Sequence, residues 1–189
     1  MNTTATSRAI RVLLLEDDKD DLFATKRMLA AESAPGFVVT HAGSVAEAEV
    51  RLRTELPDVV LTDLCVPDSE GLPTFLSLHR AAPGVPVVVL SGIVDEQTAL
   101  AAVRAGAQDY LIKSTVESTL LNRTLHHAIE RHRADVALRE SEQRFLLAVN
   151  GSNDGLWDWR LDGGLYLSPR WRTMLEYADG EHPGSFEAW

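Results

Sequence analysis

The sequence contains a single cysteine, Cys65, so no disulfide bond can form within the chain. So low a cysteine content is typical of proteins in a reducing compartment, and we expect a cytoplasmic location. Long hydrophobic runs are also missing, since none approaches the roughly 20 residues that a membrane-spanning helix needs. The polar first eight residues lack the apolar segment of a secretory signal.

Positive charge is scarce as well. The chain has 18 Lys and Arg residues against 28 Asp and Glu residues, which gives a formal net charge of −10 over 189 residues. Such a chain is a poor match for the phosphate backbone of a nucleic acid or for an anionic membrane surface. We therefore expect neither as a partner of this stretch.

What the sequence does have is a regular alternation of short apolar runs and helical patterns. The five apolar runs are Ile10–Leu15, Phe37–Thr40, Val59–Thr62, Val85–Leu90 and Asp109–Ile112. Between them lie four segments of helical length, Asp20–Glu32, Val45–Leu56, Leu72–Ala81 and Glu96–Ala105, and Ser44 with Glu47 forms a capping-box pattern before the second. Successive β–α units predict an α/β fold, in which a doubly wound parallel sheet carries helices on both faces.

The composition changes after residue 116. Residues 116–149 contain no Pro or Gly and predict one long helix that leaves the first domain as a connector. Heptad-like spacing at its two ends, with a polar middle, leaves open whether two copies pair through it. Residues 155–160 and 165–168 then predict two strands around a turn at 162–164, followed by a helix that Ser168 caps. The 40 or so residues of this unit are too few to bury a core, so we expect a domain cut at residue 189.

Polar side chains follow four of the five apolar runs. The first run ends in Glu16, Asp17 and Asp18, and the later ones in Asp63, Ser91 and Lys113. The carboxyl ends of parallel strands meet at one edge of a sheet, where ligands bind. Carboxylates packed this closely require a cation, and hard oxygen ligands suit Mg²⁺. A carboxylate beside a metal and a lysine is a nucleophile for phosphoryl transfer.

Each of these residues taken alone has an ordinary explanation. An acidic pair after a strand commonly caps a helix, a lysine there is usually solvated, and Ser91-Gly92 resembles a simple turn. The combination, with each residue at the end of its own strand, favours a site.

The segments LLLEDD, VVLTDLCVPDSEG, VVVLSG and AGAQDYLIK resemble the signature segments of the receiver domain of two-component response regulators. The resemblance implies a flavodoxin-like sheet in the strand order 2-1-3-4-5, with Mg²⁺ as cofactor and a histidine kinase or phosphotransfer protein as partner. It implies that Asp63 is the phosphoacceptor and that Lys113 and Ser91 are catalytic residues. It implies as metal ligands Glu16, Asp17, Asp63 and the Cys65 backbone carbonyl. It also implies that Ser91 and Tyr110 are switch residues. One departure is Ser114, which stands where the family usually has proline after the lysine.

Residues 138–177 are similar to the start of a PAS sensor domain, including its lead-in helix. We therefore expect a receiver domain over 8–131, a helical linker over 132–150 and a truncated α+β PAS-like segment over 151–189. In this interpretation the chain is a regulatory phosphoacceptor and not an enzyme, and any kinase or cyclase lies downstream.

Two alternatives remain open. The first is a ligand-sensing PAS protein in which the receiver is merely regulatory. The second is a phosphatase with an aspartate nucleophile on a similar fold. That class has a second aspartate two residues after the nucleophile, where this chain has Cys65.

Overall fold

The computed structural model describes residues 8–30, 36–92, 95–152, 154–159, 165–174 and 176. The chain divides into two compact units, Met1–Ala134 and Asp135–Trp189. The predicted helix end at Glu32 and the predicted turn at 162–164 lie outside the described residues.

The first unit contains a parallel sheet of five strands, β1 (Ile10–Leu15), β2 (Phe37–Ala42), β3 (Val59–Thr62), β4 (Val87–Ser91) and β5 (Asp109–Ile112). Their spatial order is β2-β1-β3-β4-β5, which confirms the predicted doubly wound, flavodoxin-like topology. Three of the strands have the predicted bounds. The second extends two residues further than predicted, and the fourth begins and ends later than predicted.

Four helices connect these strands: α1 (Lys19–Ala30), α2 (Val45–Thr54), α3 (Leu72–Ala81) and α4 (Glu96–Arg104). The predicted cap of α2 is present, because the Ser44 side chain accepts a hydrogen bond from Glu47 N. The Glu47 carboxylate accepts one from Gly43 N at 2.9 Å, which satisfies a further donor before the helix. A short antiparallel pair, Cys65–Val66 with Ser69–Glu70, lies in the connection between β3 and α3 and was not predicted.

The alternation of side chains along the strands divides the core into two layers. On one face Leu13, Val60 and Val89 pack with buried residues of α2, α3 and α4. On the other face Leu14 and Leu61 pack with Leu29 of α1 and with buried residues of the helix that follows β5. Because both faces are covered, the strands are apolar throughout, as a parallel sheet requires.

The helix that follows β5, α5 (Ser118–Gly151), has 34 residues and is therefore about 50 Å long. Leu121, Leu125, Ala128 and Ile129 bury one stripe of its first part against the sheet. His132 Nε2 lies 3.0 Å from the Gly84 carbonyl oxygen and ties the helix to the turn before β4. Among the described helices, none combines the length and the apolar character needed to cross a bilayer.

The second unit contains the predicted hairpin and helix. Strands β6 (Trp157–Trp159) and β7 (Leu165–Leu167) pair antiparallel, and α6 (Pro169–Met174) follows directly. The Ser168 side chain accepts a hydrogen bond from Trp171 N at 3.2 Å, as predicted for a cap. Gly155 packs so closely that a Cβ there would lie 2.9 Å from Trp171 Cα.

Leu125→Ala should destabilise the first unit by about 2–5 kcal/mol, because the leucine is fully buried between α5 and the sheet. Urea unfolding followed by circular dichroism measures the loss. Leu120→Ala makes the same change five residues earlier at a side chain that is 38% exposed, and should cost no more than about 1 kcal/mol. Equal losses in the two variants would contradict this assignment of the core.

Candidate functional site

The sheet brings the predicted polar residues to one edge. Glu16 and Asp63 directly follow β1 and β3, Ser91 is the last residue of β4, and Lys113 directly follows β5. Backbone hydrogen bonds continue past the strand ends, with Asp63 N bonded to Leu15 O at 2.9 Å and Lys113 N to Ser91 O at 3.0 Å. These bonds fix the backbone of Asp63 and Lys113, so the sheet itself positions the side chains of the site.

The ammonium group of Lys113 lies among three carboxylates. Its Nζ is 2.5 Å from Asp63 Oδ2, 2.7 Å from Glu16 Oε2 and 2.7 Å from Asp21 Oδ2. Burial alone would lower the pKa of Lys113, but the hydrogen bonds to these carboxylates outweigh burial and raise the pKa above its ordinary value. Lys113 is therefore a fixed positive charge at this edge.

The Asp63 carboxylate is held by donors on both oxygens. Its Oδ1 accepts hydrogen bonds from Leu64 N at 2.5 Å, Cys65 N at 3.1 Å and the Ser91 hydroxyl at 3.1 Å, while Oδ2 faces Lys113. The residue is only 7% exposed. A carboxylate so fixed presents its oxygens in one orientation, which is what an in-line phosphoryl acceptor requires.

Glu16 is the most deeply buried carboxylate of the site, at 1% exposure. Burial raises its pKa, and the bond to Lys113 opposes that shift. The backbone of Glu16 is fixed from β2, because His41 Nε2 lies 2.7 Å from its carbonyl oxygen. This contact was not predicted from the sequence.

Asp17 and Asp18 have different environments. The Asp18 carboxylate accepts hydrogen bonds from Asp20 N at 2.8 Å and Asp21 N at 3.0 Å, and these bonds lower its pKa. Asp18 thus caps α1. Asp17 is exposed, and its charge helps to raise the pKa of the Cys65 thiol, so the two residues lie near each other. The assignment of Asp17 as the direct metal ligand stays a prediction.

Cys65 and Tyr110 border the site. The pKa of the Cys65 thiol is raised mainly by burial and then by the charges of Asp63 and Glu70, so the thiol stays protonated at neutral pH. The Tyr110 ring packs partly against the core and its hydroxyl is hydrogen-bonded to Ser91, although burial raises its pKa overall. The predicted switch pair is therefore in direct contact.

The donor set suits Mg²⁺. Among the described residues, no three or more His, Cys, Asp or Glu side chains are arranged to hold a metal ion. Mg²⁺ needs fewer, because it commonly binds one or two carboxylates and keeps several waters. The carboxylates of Glu16, Asp21 and Asp63 surround the single ammonium of Lys113, with Asp17 exposed next to Glu16, and this excess of negative charge favours a cation.

Asp21 is the site residue that the sequence did not reveal. It lies in the first turn of α1, where an acidic residue is ordinarily explained by the helix dipole. No local signal marks it out, because its partner Lys113 lies 92 residues further along the chain.

Comparisons with known proteins agree with this geometry. The profile of the response regulator receiver domain family matches residues 12–125. The transcriptional regulatory protein PrrA of Mycobacterium bovis is 34% identical over 142 residues, which cover 75% of this chain and 58% of PrrA. The chain spans about half the length of the curated relatives that it matches.

Two solved structures have the same fold. A receiver domain protein from Clostridium thermocellum is 27% identical with a TM-score of 0.58, covering 66% of this chain and 98% of that one. The N-terminal domain of a response regulator/sensory box/GGDEF three-domain protein from Carboxydothermus hydrogenoformans is 22% identical with a TM-score of 0.56, covering 67% and 98%. The family match ends at residue 125, so it gives no support to a PAS-like segment.

Asp21→Asn should lower the pKa of Lys113, because it removes one of the three negative charges around the ammonium group while keeping the size of the side chain. An NMR titration of the Lys113 Nζ resonance above pH 9 measures the shift. Asp20→Asn removes the same charge one residue earlier and should leave the Lys113 pKa nearly unchanged. If both variants shift it equally, the Asp21–Lys113 contact has no specific role.

Proposed function

Because this chain belongs to the response regulator receiver domain family, we propose that Asp63 accepts a phosphoryl group from a histidine kinase or phosphotransfer protein. The proposal rests on one observation: Lys113, Ser91 and two backbone N–H groups hold the Asp63 carboxylate in a fixed orientation. The chain is a regulatory phosphoacceptor and not a classical enzyme. Its cytoplasmic location and the absence of a nucleic-acid or membrane partner are part of the proposal.

In the transfer, an oxygen of Asp63 forms the new P–O bond as the P–N bond to the donor imidazole breaks, and the imidazole leaves with the electron pair. The Lys113 ammonium pairs with one phosphoryl oxygen, and the Ser91 hydroxyl donates to another. When bound, Mg²⁺ would neutralise part of the negative charge on the transferred group. Glu16, Asp17, Asp63 and the Cys65 carbonyl are the groups that we propose to hold it, directly or through its bound waters.

Ser91 and Tyr110 are proposed to read the phosphorylation state. A ligand shifts a two-state element only through contacts that differ between the two states. The Ser91 hydroxyl, now bonded to Asp63 Oδ1, would turn to a phosphoryl oxygen and change its contact with Tyr110. The change would then reach the surface around β5.

Downstream of the receiver (8–131), we propose that the linker (132–150) carries the signal to a PAS-like segment (151–189). The β6–β7 hairpin followed by α6 supports that interpretation. So does the description of the Carboxydothermus protein, which places a sensory box in a chain that begins with a receiver. Leu138 and Phe145 lie seven residues apart on one face of α5 and are more than half exposed, which favours homodimer formation through this helix.

The alternatives rank lower. A ligand-sensing PAS protein with a regulatory receiver shares the same receiver chemistry and differs in where the stimulus enters. An aspartate-nucleophile phosphatase needs a second carboxyl group near the nucleophile. The Cys65 thiol does not replace one, because its raised pKa makes it a weaker proton donor than a carboxylic acid.

The chain should take up one phosphoryl group from acetyl phosphate in Mg²⁺, and Asp63→Asn should abolish uptake, because the amide cannot act as the nucleophile. Intact-protein mass spectrometry measures the mass gain. Asp58→Asn, at an aspartate before β3 and away from this edge, should leave uptake unchanged. Undiminished uptake by Asp63→Asn, or uptake without a divalent metal, would contradict the assignment of Asp63 as the metal-dependent phosphoacceptor.

Ser91→Ala should still be phosphorylated but should respond poorly, because the contact that differs between the two states is lost. Hydrogen exchange over residues 105–130, compared before and after phosphorylation, measures the response. Equal changes in Ser91→Ala and the parent chain would show that the signal takes another route.

A further inference from the structure

The carboxylate of Asp68 caps a helix to which it is not adjacent in sequence. Asp68 lies in the acceptor loop, which we define as residues 63–71 between β3 and α3. Its Oδ1 accepts a hydrogen bond from Val45 N and its Oδ2 one from Ala46 N, both at 2.9 Å and across 23 and 22 residues of chain. These are the first two helical residues of α2, and the bonds lower the pKa of Asp68. The loop is thereby attached to α2.

The helix has its own cap in addition. The Ser44 side chain accepts from Glu47 N at 3.2 Å, so Ser44 and Asp68 satisfy different donors at the same helix end. A local cap of this kind is enough to start a helix. The two bonds from Asp68 therefore have a second consequence, which is to fix the position of the acceptor loop.

The other end of the acceptor loop is fixed from α3. Thr74 is fully buried, and its Oγ1 lies 2.9 Å from both the Leu64 carbonyl oxygen and Ser69 Oγ. Gly71 N also donates to the Leu64 carbonyl at 2.9 Å, and Gly71 has a φ of 70°, which favours glycine. Val66 anchors the middle of the loop by burial in the core. Among the hydrogen bonds described for residues 65–70, those of Asp68 connect the loop to α2.

We propose that Asp68 is a positioning residue for the phosphorylation site. It holds the acceptor loop so that the Asp63 carboxylate and the Cys65 carbonyl face the Mg²⁺ position together. The inference rests on the proposed function, since it concerns the same metal and the same acceptor. Groups that orient metal ligands without touching the metal commonly change metal affinity by about 10- to 100-fold when they are removed.

Three variants of the full chain test the proposal, and Asp68→Asn adds an intermediate case. Asp68→Ala removes the anchor, Ser44→Ala removes the local cap of α2 and leaves the loop bonds, and Glu70→Gln removes one negative charge from the same loop without removing an anchor. Mg²⁺ affinity is measured by isothermal titration calorimetry, and helix stability by the thermal midpoint. Hydrogen exchange over residues 64–70 reports loop order without any metal.

Asp68→Ala should weaken Mg²⁺ binding about tenfold or more and speed exchange in the loop. Ser44→Ala should lower the thermal midpoint but keep Mg²⁺ affinity within about twofold. Glu70→Gln should lose only the small effect of one exposed charge that solvent and salt screen. Asp68→Asn keeps one acceptor oxygen and should fall between Asp68→Ala and the parent.

Equal losses of Mg²⁺ affinity in Asp68→Ala and Ser44→Ala would reduce Asp68 to a helix cap and overturn the inference. A loss in Glu70→Gln as large as that in Asp68→Ala would attribute the effect to charge and overturn it as well. Both results leave the proposed function intact, provided that the parent chain binds Mg²⁺ and takes up phosphate on Asp63. A parent chain that does neither overturns the proposed function and this inference with it.

Discussion

The ion pairs of one ammonium group hold the whole site together. Carboxylates from the first β–α unit and from the end of β3 come within 2.7 Å of Lys113 Nζ, and without a cation at that point they would repel one another. Lys113 follows the last strand of the sheet, so the site is complete only when the first and fifth units are both in place. The parallel order of the strands supplies that proximity, because it brings distant segments to the same edge.

The sheet fixes where each side chain begins, and a second set of contacts fixes the backbone between the strands. His41 holds the carbonyl of Glu16, and Thr74 holds that of Leu64. Both come from elements that carry none of the proposed chemistry. The site is therefore rigid where charge develops, and catalysis of phosphoryl transfer depends mainly on such positioning.

The strands and the principal site residues could be predicted because their signals are local. Apolar runs bounded by polar residues defined β1, β3 and β5 to the residue, and the polar residue after each run indicated the site edge. The predicted β2 was too short, because the polar residue His41 was taken to end it. The hydrogen bond between the His41 ring and the Glu16 carbonyl oxygen explains how a polar residue fits in the strand. Asp21 could not be found, since its role depends on Lys113, 92 residues further along the chain. No local pattern contains such a pairing.

The N-terminus of α2 is capped by two residues, Ser44 and Asp68, and this arrangement also affects how the chain folds. Ser44 can cap the helix as soon as its first turn forms, since the donor, Glu47 N, is only three residues away. The donors of Val45 and Ala46 must wait for Asp68, so the first turn of α2 is completed only after β3 and the loop beyond it have closed onto the structure. Contacts across such distances are costly in loop-closure entropy and form late. The start of α2 is thus a late-consolidating element, and its completion coincides with assembly of the loop that carries the acceptor.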